Sequence, residues 1–278
     1  MKAYFYLTRL HRPLPILLIL WPTLWALLSA SHPQLPQAKL LFIFTFGVLL
    51  TRTAGCIFND IADRKFDFQV KRTNTRPITT GKISVKSAAI TGGFLFLIAF
   101  ILVLFLNIFT ILLSFVALLL ALTYPLFKRF FSMPQLALGL AFNFGVIMAY
   151  AAVQNTIPLN AWILYVACVC WTIAYDTMYA LADMPYDKKL GLKSSAITFG
   201  KHLTLIISLL QTSMLVLLIL FGLLNHYNGI FYTGVLLCTV LFYLQYRKWR
   251  EKDIKHCIEA FSANHWVGLV IFIVILLQ

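Results

Sequence analysis

Acidic residues are scarce in this 278-residue chain, and they are gathered rather than scattered. Of nine Asp and Glu, three stand at Asp60, Asp63 and Asp67, just after Asn59, and three more at Asp176, Asp183 and Asp187. On a helix of 3.6 residues per turn the first trio falls at i, i+3 and i+7 and the second at i, i+7 and i+11. Each trio therefore lines one helix face. Carboxylates crowded on one face raise each other's pKa unless a cation lies between them, and hard divalent ions such as Mg2+ prefer such oxygen ligands. Bases stand close by: Arg64, Lys65, Lys71, Arg72 and Arg76 follow the first cluster, and Lys188, Lys189 and Lys193 the second.

The elements that must position these groups are membrane helices. Hydrophobic residues make up 61% of the chain and charged residues 12%, with a mean hydropathy of +0.86. Soluble domains carry about 25% charged residues, so the fold expected is all-α and polytopic. Apolar runs predict nine spans, at roughly 14–30, 39–58, 87–106, 108–127, 134–153, 161–181, 203–224, 230–245 and 262–277. The first has the charge layout of a signal peptide, but its length, Trp21 and Trp25, and the many spans after it favour a retained helix. Pro77 and Gly81 rule out a helix through the first long polar connection, and Ser84 is the N-cap expected after it. With the N-terminus inside, 21 of the 23 Lys and Arg fall on one side, leaving only Lys39 and Arg52. The positive-inside rule then makes both acid clusters and both long loops cytoplasmic and the C-terminus external. Arg52, within the second span, either faces the interior toward the acids or snorkels to the interface.

The net charge of +14 follows these loop flanks and comes with no nucleic-acid motif, so nucleic acid is not an expected partner. The five cysteines show no CxxC pair and read as small apolar filler. Each long loop is an acid cluster followed by a basic run and a Gly, which suggests one domain over 1–278 built of two related halves with one helix left over.

Two carboxylate faces beside a basic loop suit a metal-bridged diphosphate: the metal neutralises phosphate oxygens and Lys or Arg takes the remaining charge. A long apolar tail on that diphosphate would lie in the bilayer, which accounts for a polar reaction centre on a hydrophobic bundle. The alternative is a cation- or proton-coupled transporter, since membrane acids also hold transported ions. Its mark would be hydrophobic segments interrupted near the midplane, whereas these runs read as continuous.

At the same residues the chain resembles the UbiA superfamily of intramembrane aromatic prenyltransferases. The resemblance rests on Asn59, Asp60, Asp63 and Asp67 as NDxxDxxxD, on Lys71-Arg72 and Arg76-Pro77, and on Asp183-xxx-Asp187 preceded by Tyr175-Asp176-Thr177 and Tyr179-Ala180. It continues through residues 21–25, Tyr124-Pro125-Leu126 with Lys128-Arg129, and Gly191 with Lys193-Ser194 and Ala196. Within the superfamily the chain is most similar to the branch that prenylates 4-hydroxybenzoate, although His11 and Pro15 stand where that branch commonly has Asp and Gly.

The resemblance implies nine helices around a central lipid-open cavity under cytoplasmic cap loops, in a bacterial inner membrane. It also implies Mg2+-assisted ionisation of a polyprenyl diphosphate and attack by the ring of an aromatic acid. Sibling branches prenylate dihydroxynaphthoate, homogentisate or haem. Asn59, Asp60 and Asp63 are the expected first set of Mg2+ ligands and Asp183 and Asp187 the second, with Asp67 reaching a metal or a loop base. Lys71, Arg72, Arg76 and Lys128, with Lys193, are the diphosphate candidates, against a reading as ordinary flanking charge. Arg129 is the candidate for the acceptor carboxylate and Asp176 for orienting the phenol hydroxyl. Tyr124 and Tyr179 either line the cavity or pack.

Overall fold

In the computed structural model, which describes residues 2–11, 13–70 and 73–278, the ordered elements are helical. Lys71, Arg72 and Arg12 lie outside the described residues. A short helix α1 (Lys2–Leu7) leads into α2 (Leu14–Ser31), α3 (Ala38–Asp67), α4 (Val85–Val103) and α5 (Ile108–Thr123). The 3-10 turn Tyr124–Arg129 then precedes α6 (Pro134–Phe142), α7 (Phe144–Gln154) and the long α8 (Leu159–Leu190). The chain ends with α9 (Ser195–Phe199), α10 (Leu203–Leu224), α11 (Gly229–Trp249), α12 (Ile254–Ser262) and α13 (Asn264–Leu276). Among the described residues nine stretches are long and apolar enough to cross a membrane, as the hydropathy pattern predicts.

Two helices run further than their apolar stretches. The helix α3 carries on through the whole first acid cluster, and α8 through the second. Both clusters are thus presented on rigid helix rather than on loop. The stop after α8 is Gly191, whose φ of +66° is a left-handed conformation that a side chain disfavours, while Leu192 N–H donates to Asp187 O at 2.9 Å. As expected, Ser84 caps α4 by accepting from Ser87 N–H.

The core is centred on α8. In its most apolar window 72% of residues are buried, against 17% for α4 and 11% for the span containing α5, which form the periphery. Trp171 and Tyr175 of α8 are fully enclosed, and Trp25 of α2 stacks on Trp171 with centroids 5.4 Å apart. The first and last spans are clasped together: Trp25 Nε1 donates to Gly268 O at 3.0 Å, and a Cβ on Gly268 would lie 2.0 Å from the Trp21 ring.

The apolar runs are not all continuous, which corrects the sequence reading. The fifth span breaks at Asn143 and the ninth at Ala263. At the first break Asn143 Nδ2 donates to Gly139 O and to Thr172 Oγ1, each at 2.8 Å. At the second, Trp171 Nε1 donates to Asn264 Oδ1 at 2.8 Å. Both breaks are pinned to neighbouring residues of α8 by an amide rather than an acid. The same spacing recurs elsewhere: α6 and α12, α7 and α13, Asp63 and Asp183, and Asp67 and Asp187 are each offset by 120 residues. This places spans two to five in the same order as six to nine, so the helix left over is the first.

Candidate active site

A small apolar cluster sets the geometry of the polar end. Leu7 of α1, Ile57 of α3, Ile78 and Ile83 of the loop after α3, and Ala88 of α4 pack together. That packing fixes both the N-terminal segment and the loop over the end of α3. The loop is itself folded by backbone hydrogen bonds such as Arg76 N–H to Thr73 O at 3.0 Å and Ile83 N–H to Pro77 O at 3.1 Å. Its Gly81 takes a left-handed φ of +73°.

Held in this way, three bases among the described residues converge on the three carboxylates of α3. Asp60 is 2% exposed and pairs with Arg9 and with Arg76, the latter at 3.0 Å. Asp67 accepts from Arg76 at 2.6 Å, so it reaches a loop base, one of the two roles expected for it. Asp63 pairs with Lys128 of the 3-10 turn through Oδ2. Burying carboxylates at this depth costs several kcal/mol each unless they are compensated, and the three bases supply that compensation. Arg9 is the residue the sequence analysis passed over. It counted only as a flanking charge, 51 residues from its partner. Its backbone φ of 54° is unusual for a residue with a side chain, as is common where a site dictates conformation. Burial works to lower the pKa of its guanidinium, but the Asp60 carboxylate together with Tyr179 and Tyr124 holds it above its ordinary value.

The second cluster is half-buried. Asp176 interacts with the Gln135 side chain, whose Oε1 accepts from Ser195 N–H at 2.9 Å. Asp183 and Asp187 stand on the last turns of α8, on either side of Pro185, which lacks the amide that would bond to Leu181 O. The caps of the two clusters touch: Lys193 N–H donates to Lys128 O at 2.8 Å, while the Lys193 side chain is exposed. Tyr179 packs against Phe261, with ring centroids 4.9 Å apart, and lies close enough to Arg9 to act on its charge.

An apolar cavity of about 430 Å³ is enclosed by α2, α3, α4, α5, α6 and α7. Tyr124 lines it, and so does Arg52, which decides between the two readings of that residue: it faces inward. The Arg52 guanidinium donates to Cys56 Sγ, lies 5.8 Å from the centroid of the Phe142 ring, and keeps a buried Nε without a partner. Arg129, by contrast, is exposed at the rim, donating to Ala62 O at 2.8 Å with its guanidinium over Phe66.

These donors suit a divalent ion. Among the described residues no group of three His, Cys, Asp or Glu is already gathered as a cage. Yet Asp63 Oδ1 is buried with no hydrogen-bond partner among the described residues, an oxygen suited to a cation, and half-buried Asn59 stands on the same helix.

Over residues 19–268 the chain matches the profile of the UbiA prenyltransferase family. It belongs to that family. A relative from Francisella tularensis subsp. mediasiatica, named 4-hydroxybenzoate octaprenyltransferase, is 57% identical across 100% of this chain and 98% of its own length. One of the same name from Chromohalobacter salexigens is 48% identical across 96% and 89%. Among solved structures, a UbiA homologue from Aeropyrum pernix K1 aligns with a TM-score of 0.81 and 25% identity, covering 94% of this chain and 96% of that one. Another from Archaeoglobus fulgidus, bound to GPP and Mg2+, aligns at 0.75 with 16% identity, covering 98% and 99%. The UbiA fold and the nine apolar helices make this an integral membrane protein.

Proposed function

We propose that this UbiA-family protein transfers the prenyl group of a polyprenyl diphosphate to 4-hydroxybenzoate, at the ring carbon ortho to the hydroxyl, as a step of ubiquinone biosynthesis. The observation that carries this reading is a carboxylate cluster, latched by Arg9, Arg76 and Lys128, on the same helix as Arg52, which lines an apolar cavity. The full-length likeness to relatives named 4-hydroxybenzoate octaprenyltransferase supports the choice of acceptor.

Asn59, Asp60 and Asp63, with Asp183 and Asp187, are the side chains that would hold Mg2+, which when bound neutralises diphosphate oxygens and stabilises the leaving group. Arg9, Arg76 and Lys128 are each between 17% and 27% exposed, so a phosphate can approach them beside the carboxylates they now pair with. Lys193 adds positive charge to the same cap, and Lys71 and Arg72, which follow the first acid cluster in the sequence, are further candidates for the diphosphate. Once the C–O bond to diphosphate breaks, the allylic cation needs a site without water, which the cavity lining provides. Tyr124 and Phe142 offer ring faces for cation–π stabilisation. Arg52 is placed to bind the acceptor carboxylate from inside the cavity, a role for which Arg129 at the rim is less suited. Asp176, with Gln135 beside it, orients the phenol hydroxyl. The new C–C bond joins the allylic carbon to the ring, and the ring proton leaves to restore aromaticity. The distribution of Lys and Arg supports a bacterial inner-membrane location with the N-terminus and cap loops cytoplasmic and the C-terminus outside.

The test is mass spectrometry of purified protein given 4-hydroxybenzoate, a polyprenyl diphosphate, and Mg2+ or EDTA. The expected result is a Mg2+-dependent, ring-prenylated acid with release of diphosphate. Absence of that product, with turnover of another aromatic acceptor, would reassign the acceptor. Solute movement in vesicles without any covalent product would replace the enzyme reading with transport.

A further inference from the structure

The helix α1 belongs to none of the membrane spans, yet its Leu7 anchors the segment that carries Arg9 to Asp60. Its faces differ: Leu7 is fully buried, while Tyr4, Phe5 and Tyr6, with Leu10 just beyond the helix, are each between 40% and 49% exposed. Three consecutive aromatic side chains turned outward call for a cover that is neither this chain nor water. We propose that α1 docks on the lipid interface at the acid end of the bundle, with its rings among the headgroups of acidic phospholipid, and that this contact helps to hold Arg9 over Asp60.

Depth makes lipid the cover. Leu7 packs on Ile57 and Ala88, which belong to two of the long apolar helices, and Ala88 stands only about 5 Å along α4. The short helix thus lies against the ends of the spans rather than out beyond them. The Tyr4 hydroxyl is 2.6 Å from Ser87 Oγ, which ties α1 to the first turn of α4. Ser87, Ile90 and Phe94 stand at i, i+3 and i+7 on one face of α4, and Ile90 and Phe94 are 64% and 60% exposed. The rings of α1 therefore continue a stripe that faces hydrocarbon. Tyr suits the junction of the two zones, with its ring in the apolar layer and its hydroxyl in the wet one. The patch is also grouped, since His11 lies 4.9 Å from the Tyr6 ring centroid and 6.0 Å from that of Phe5.

Charge points the same way. No Asp or Glu occurs in residues 1–59 or 68–175. Lys2 stands in α1, Lys82 adjoins Ile83 of the Leu7 cluster, and Lys86 adjoins Ser87, so all three lie around the aromatic patch. Each is exposed, and among the described residues none of them forms an ion pair. An aromatic patch bordered by cations without counter-ions fits a surface that is apolar within and anionic above, which is a leaflet containing acidic phospholipid.

The test reads depth and leaves turnover aside, so it stands whatever the reaction proves to be. A nitroxide is attached at Phe5→Cys in nanodiscs of phosphatidylcholine and phosphatidylglycerol, with the native chain treated in parallel as the background. Its exposure to oxygen, which concentrates in lipid, and to a water-soluble nickel chelate is compared with that of labels at Phe94→Cys on α4 and Glu251→Cys in an exposed connection. The label at position 5 should be about threefold or more less open to the chelate than the one at 251, while staying open to oxygen like the one at 94. A label as open to the chelate as that at 251 would overturn the docking, since α1 would then face water. One shielded from both reagents would overturn it in favour of a protein cover. Trypsin then reads the hold on Arg9. Cleavage after Arg9 should be about tenfold faster in pure phosphatidylcholine nanodiscs, and in a Tyr4→Ser/Phe5→Ser/Tyr6→Ser protein that keeps Leu7, than in native protein with phosphatidylglycerol. Equal rates in all three would show that lipid has no part in holding Arg9.

Discussion

The two acid clusters sit at matching places in the two halves, yet they are held in different ways. On α3, three buried carboxylates are met by bases from the N-terminal segment, the loop after α3 and the turn after α5. On α8 the acids are half-buried, and Asp176 has an uncharged amide beside it. A carboxylate removed from water must be charge-compensated whether or not a ligand is present, and in the first cluster Arg9, Arg76 and Lys128 do this. The first cluster therefore has bases for the diphosphate already in place.

If both clusters hold metal, removing one acid from either is equally damaging. Asp63→Ala and Asp183→Ala should each lower turnover about a thousandfold, the several kcal/mol that a metal supplies at tenfold per ~1.4 kcal/mol, with membrane insertion unchanged. A purified Asp183→Ala protein with near-native rates would break the symmetry and leave α3 as the metal site. The next effect separates latch from ligand. Lys128→Met should raise KM for the prenyl diphosphate about tenfold to a hundredfold, the range expected for a charged hydrogen bond worth about 1.5–3 kcal/mol. It should also lower the Mg2+ concentration needed for half-maximal activity, because Asp63 is then uncompensated. A titration in which both constants rise would show Lys128 to be merely structural.

Stability sharpens the contrast further. In EDTA, Asp60→Asn leaves Arg9 without its carboxylate and Arg76 with Asp67 alone, and should cost about 1–3 kcal/mol, less than a fully buried pair would because both arginines are partly exposed. Asp187→Asn, nearer water, should shift the melting temperature less, and an equal shift would mean that burial is not the deciding difference. The smallest effect belongs to Gln135→Ala, a loss of a few-fold in kcat at unchanged diphosphate KM, read by steady-state kinetics.

Much of this was legible because scarcity speaks in an apolar chain. Six acids in two groups marked the candidate site, and the apolar runs marked the nine spans. Arg9 was not legible, since nothing in its neighbours distinguishes it from an interfacial charge until the Leu7 cluster brings it over Asp60. The orientation of Arg52 was likewise open, because one helix does not reveal which of its faces meets a cavity built by five others. The break at Asn143 escaped notice because a single amide in a continuous apolar run leaves hydropathy nearly unchanged, and only its bond to Thr172 shows the kink to be specified. Arg129 was placed by likeness alone, and packing sends it to the rim.

The clasp between α2 and α13 also bears on how the molecule is made. Trp25 finds its acceptor in Gly268, 243 residues later, so the earliest span to leave the ribosome waits for the latest before its indole is satisfied. Until then the bundle is an open arc in which α2 is held by α3, α7 and α8 but not by α13. Closure of the ring is thus a late event in biogenesis, and a chain arrested before α13 would retain both acid clusters while lacking the last stave that shuts the barrel around them.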